Sequence, residues 1–213
     1  LLKYELDEYL SGRRVEREKE QPLMLNENQQ YIHYNKGSVI MYALQDYIGE
    51  DNLNKALAGY IKEHAFQGPP YVNAVSFVEA LRQATPDSMK YLIKDMFETI
   101  TLYSNKVNEA TATKLPDGKY KVKITFDSDK FVSDSVGNEK AVPFNDYIDI
   151  GIFTRNPKDE KLPGKPLYLK KHKLSAKTKE VELIVSEEPY KAGIDPYNKL
   201  IDRDSDDNLK TIN

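Results

Sequence analysis

The spacing of apolar residues divides the chain in two: up to about residue 100 the period is helical, and from residue 107 it is two. Val39, Ile40, Ala43, Leu44, Tyr47 and Ile48 form one helical stripe, closed by Gly49. Asp51 can then cap a second helix with Leu53, Ala56, Leu57, Tyr60 and Ile61 on one face. The sequence GPPY at residues 68–71 breaks the chain, and Phe77, Val78 and Leu81 mark a third, shorter helix. Thr85 and Pro86 read as the cap and first turn of the strongest stripe: Met89, Leu92, Ile93, Met96, Phe97 and Ile100. At the start of the chain Leu2, Leu6, Tyr9 and Leu10 share a helix face, with Gly12 as its expected stop. Neither a cap nor an initiator Met precedes them, so the chain is expected to be a segment of a longer polypeptide.

In the second part Tyr120, Val122, Ile124 and Phe126 alternate with polar residues, as in a half-buried strand. The PDG before it, at 116–118, is hairpin chemistry. DYIDIGIF, PLYLKKHKL and EVELIV read as further strands, with loops at 137–140 and 156–166. About six short strands without helices between them suggest a small antiparallel sandwich. The expected class is α+β: a helical portion over 1–104, then a β-sandwich with an acidic C-terminal tail over 105–213.

Composition removes several functions. With 31 Lys and Arg against 34 Asp and Glu, the net charge of −3 argues against a nucleic-acid partner. No apolar run approaches the roughly 18 residues that cross a bilayer, so no membrane contact is expected of this segment, and no signal-peptide pattern is present. Without Cys there are no disulfides and no thiolate metal sites. His33, His64 and His172 lack HExxH spacing, so a zinc site would need long-range partners. His64 reads as a surface cation near a helix end, and His172, among Lys170, Lys171 and Lys173, as part of a solvated strand face. Asp202, Asp204 and Asp206 start like a calcium loop but lack its Gly and terminal Glu, which leaves an acidic, partly mobile tail. There is no GxSxG, no Ser set against a His, and no phosphate-binding glycine loop.

What remains is YIHYNKG at 31–37, which crowds Tyr31, His33 and Tyr34 into the start of a helix. By itself the pattern fits packing or catalysis. With EQPL before it, and IGEDNLNKAL and PYVNAVSFVEAL after it, the stretch resembles the helical region of aminopeptidase N-like zinc metallopeptidases of the gluzincin family. GNEKAVPFNDYIDIGIF and AGIDPYNKLIDR are similar to the strand domain that follows the peptidase domain in a bacterial branch. Some members of that branch are fused to a membrane permease.

The resemblance implies that Tyr34 is the catalytic tyrosine, a phenol donating to the oxyanion as zinc-bound water attacks the peptide carbonyl. It implies fold roles for Lys36 and Gly37, the glycine admitting a neighbouring helix, and packing beside the cleft for Tyr31 and His33. HExxH, the third zinc-ligating glutamate and the Gly-x-Met-x-Asn strand, which the family carries N-terminal to this region, are absent. Zinc would then belong to a parent protein whose N-terminal portion holds it and which trims peptide substrates. This segment would hold no metal ligand and be inactive alone. The alternative is a non-catalytic interaction or spacer module of a membrane-associated protein.

Overall fold

The computed structural model describes residues 2–213. The chain forms two compact units, one of Leu1–Thr101, Val132–Lys140 and Lys199–Ile201, the other of Leu102–Phe131, Ala141–Asn198 and Asp202–Asn213.

In the first unit α1 (Leu2–Val15) runs past Gly12 instead of stopping there. Gly12 serves packing: a Cβ at this position would lie 2.5 Å from the Cβ of Tyr31. A π turn, Tyr31–Lys36, leads without a break into α2 (Gly37–Ile48), whose stripe from Val39 to Ile48 is buried as its spacing requires. Gly49, at φ 90°, ends α2 and takes the cap position of α3 (Glu50–His64). Asp51 therefore lies inside the first turn, where a carboxylate suits the helix dipole, and is not the cap. Of the stripe on α3 only Leu53 is buried. α4 (Ala74–Ala84) starts at Asn73, whose side chain accepts from the N–H groups of Val75 and Ser76.

Thr85 closes α4 and does not cap the next helix; its hydroxyl donates to the Leu81 carbonyl at 2.8 Å. Nor is the stripe from Met89 to Ile100 one helix. It passes through a 3₁₀ turn (Asp87–Met89), one α turn (α5, Tyr91–Ile93) and a π turn (Lys94–Glu98) before Ile100 opens a strand. Leu92, Ile93, Met96 and Phe97 are buried all the same, because the apolar demand is met whichever turn type carries it.

Among the described residues eight strands follow: β1 (Ile100–Lys114), β2 (Tyr120–Ser133), β3 (Glu139–Val142), β4 (Asp146–Phe153), β5 (Pro166–Leu174), β6 (Glu180–Val185), β7 (Lys191–Ile194) and β8 (Leu209–Thr211). One four-stranded sheet runs β1-β2-β3 with β6 also on β2, and the other runs β5-β4-β7-β8. The fold is α+β, consistent with a helical part followed by a sandwich. β3 occupies part of the loop expected at 137–140, and β1 covers the span from about residue 100 to 107 over which the period changes.

Within the second unit Val122, Ile124 and Phe126 of β2, and Ile148, Ile150 and Ile152 of β4, are wholly buried. Polar links join the two sheets there. Tyr103 and Lys130 donate to one carboxylate oxygen of Asp146 at 2.8 and 2.9 Å, all three side chains being buried. The acidic tail is anchored in this unit at Asp202 and Asn208. Asp202 is fully buried and accepts from the N–H groups of Asn105 at 3.1 Å and Asp204 at 3.2 Å. Burial pushes its carboxyl up to about 6, and β8 then pairs with β7.

Candidate functional site

The π turn is where sequence pattern and chemistry meet. Ile32 and Lys36, four residues apart, both point inward and are 0% exposed. Tyr34, between them, faces outward and is 61% exposed. Turns with i→i+5 bonds are rare and gather at functional positions; here the N–H of Gly37 donates to the carbonyl of Ile32. Neighbours fix the turn's outer side. The Ser38 hydroxyl donates to the Tyr34 carbonyl at 2.6 Å, and the Asn35 amide donates to Glu5 of α1 at 2.9 Å. The His33 ring lies 4.5 Å from that of Tyr34, tilted by 53°, and its Nδ1 is 3.0 Å from the Asn26 amide.

Tyr34 borders an open cavity of about 890 Å³. Tyr31 and Asn35 line it from the same turn, Glu8 and Ser11 from α1, and Glu16 from the segment beyond. The Tyr31 ring stacks on Tyr9 at 5.9 Å, and its hydroxyl is buried without a hydrogen-bond partner. Burial raises the pKa of that phenol. His33 is not among the lining residues, so only one of the two expected cleft-side rings, Tyr31, meets the cavity.

Beneath the turn lies a buried charged cluster. The Lys36 ammonium sits 3.8 Å from a Glu20 oxygen, beyond hydrogen-bond reach, and 5.0 Å from the Tyr9 ring centroid. Burial pulls its pKa down to about 8, with Glu20 acting the other way. Glu20 accepts from the Tyr9 hydroxyl at 2.5 Å and from Arg13 Nε at 2.7 Å. Arg13 continues to Ser133 and Glu139. Gly37 is not the close-approach glycine: a Cβ there would meet Leu23 at 3.8 Å and the Ile32 carbonyl at 3.6 Å, ordinary contacts. That role belongs to Gly12.

The other histidines are placed elsewhere. His64 is half-buried, edge-on to Tyr60 at 4.5 Å. His172 lies on β5. It is half-buried, 2.7 Å from the Tyr168 hydroxyl, with its pKa lowered by burial. Among the described residues no group of three or more His, Asp or Glu could hold a metal ion.

Residues 3–99, just under half of the chain, match the model of the peptidase family M1 domain. That stretch is similar to the M1 metallopeptidase domain, and the π turn, the cavity and the Tyr9, Arg13, Glu20 and Lys36 cluster lie within it. No curated protein matches the chain.

Proposed function

We propose that this chain supplies one wall of the active site of an aminopeptidase N-like enzyme, with Tyr34 as the hydrogen-bond donor to the oxyanion. One observation carries the reading: a stretch similar to the M1 domain presents an outward phenol, on a braced π turn, bordering an open cavity. A phenol suits the task because it donates without first having to lose a proton. A rigid donor aimed at the developing charge stabilises the transition state more than the ground state. The residues that hold the metal, and the one that receives the peptide's amino group, lie outside this sequence in this reading. The parent is of the bacterial branch in which the peptidase can be joined to a membrane permease. No helix among the described residues is long and apolar enough to cross a membrane.

The test is hydrolysis of aminoacyl chromogenic substrates by the full-length protein, with and without a chelator, beside the 213-residue chain alone. The expected result is chelator-sensitive release of N-terminal residues by the full-length protein and none by the chain. Turnover by the chain itself would overturn the reading. A full-length protein that binds peptides without cleaving them would favour the interaction module.

A further inference from the structure

Lys36 presents a cost that packing does not explain. Its ammonium has three donors and no acceptor within hydrogen-bond distance, at 0% exposure. Taking such a charge out of water costs stability, and an apolar side chain of similar length fills the same space without that cost. Lys36 nonetheless occupies the apolar stripe of its helix, four residues after Ile32 and three before Val39.

We propose that Lys36 is a positioning residue for Tyr34: its buried ammonium, held against Glu20 and the Tyr9 ring, ties the inner face of the π turn to α1 and so sets the direction of the phenol on the outer face. The inference rests on the reading of Tyr34 given above. The groups facing the ammonium are Tyr9 and Arg13 from α1 and Glu20 from the segment after it, with the Tyr31 ring stacked on Tyr9. Arg13 shares Glu20 with Lys36 and is balanced on its far side by Glu139. Glu20 thus joins two cations and one phenol hydroxyl, and Lys36 is its only link to the π turn among these contacts. A π turn holds one more residue per hydrogen-bonded ring than an α turn. Without the inner tether it can relax to α geometry, and that rotates Tyr34 about the helix axis.

The two roles open to a buried lysine predict opposite behaviour. If Lys36 serves only the fold, stability and activity fall together when its charge is lost. If it positions Tyr34, stability holds or rises while the turn loosens. The experiment compares full-length protein and its Lys36→Met variant by melting temperature, amide hydrogen exchange over residues 31–38, and steady-state kinetics. The expected result is an unchanged or higher melting temperature with exchange at least about tenfold faster in that segment. With it should come a kcat lower by roughly ten- to hundredfold, as for a catalytic group misplaced by about 1 Å, and a KM within about twofold.

Raising the pH of the unmutated protein through about 8 removes the same charge without a substitution. Protection of these amides, relative to intrinsic exchange rates, should fall there, and the variant should lack that step. Unchanged exchange in the variant, or a variant that melts early or fails to fold, would overturn the proposal. Exchange is read whether or not the protein cleaves peptides. An inactive protein with a loosened turn therefore counts against Tyr34 as a catalytic group and leaves the tether standing.

Discussion

Tyr31 and Gly12 meet so closely that neither residue can be understood alone. A methyl group at Gly12 would lie 2.5 and 2.7 Å from Tyr31 Cβ and Cγ. Gly12→Ala should gain up to about 1 kcal/mol of helix propensity. It should lose about 1–3 kcal/mol to the clash, because packed neighbours yield little. Net destabilisation in a denaturant titration is expected; a more stable variant would show that α1 and the π turn have slack. Tyr31→Phe is the opposite case, since it deletes a buried hydroxyl that has no partner, and it should leave the melting temperature unchanged or higher. Little of this was legible in the sequence. Gly12 looked like a helix stop because a glycine near the end of a stripe signals a C-cap, and only the fold reveals contact with a residue 19 positions later. Lys36 did leave a trace, a charge on an apolar stripe, but one such lysine is ordinarily a snorkelling surface residue. Tyr34 was reached by family resemblance, since three rings in four positions fit packing equally well.

Elements were easier to read where one side chain per period faced a core. The stripe of α2 and the alternation in β2 specify themselves, because burial of one face admits one period only. β1 escaped because its inward positions include Asn105, 1% exposed and hydrogen-bonded to Ser128 at 2.6 Å, so the apolar alternation is interrupted. The stripe from Met89 to Ile100 was read as one helix because periodicity does not distinguish 3₁₀, α and π turns over so short a span. β7 and β8 depend on backbone proximity that no hydropathy pattern records. A Cβ on Gly193 would lie 1.9 Å from the Asn208 carbonyl oxygen, at the β7–β8 pairing. Gly193→Ala should therefore break that pairing and cost at least about 1–3 kcal/mol. Amide exchange over residues 209–211 should speed up with it, and a variant with wild-type protection there would contradict the observed pairing.

For the whole molecule, exposure and charge set the expectations. Residues 102–108 lie inside β1, with Leu102, Tyr103 and Val107 buried, so limited proteolysis should spare them and cut first in the exposed loops at 65–73 and 156–162. Early cuts within 102–108 would contradict the assignment of β1. The pH dependence of stability should carry the mark of Lys36. Its folded pKa is depressed to about 8, so between about pH 8 and 10.5 the unfolded chain binds more protons than the folded one. Stability relative to the Lys36→Met variant should therefore rise with pH across that window, by on the order of 3 kcal/mol. Urea titrations of both proteins at pH 7 and 10.5 check it, and a gap that does not change would contradict the buried, charged lysine. In the full-length protein, with metal content confirmed equal, Tyr34→Phe keeps the ring and removes the hydroxyl proposed as the oxyanion donor. The expected result is a kcat lower by roughly 10²- to 10³-fold, a KM near the original value and an unchanged melting temperature, while Tyr31→Phe keeps its kcat. A Tyr34→Phe enzyme within about threefold of the original kcat, far short of the loss expected for such a donor, would contradict it.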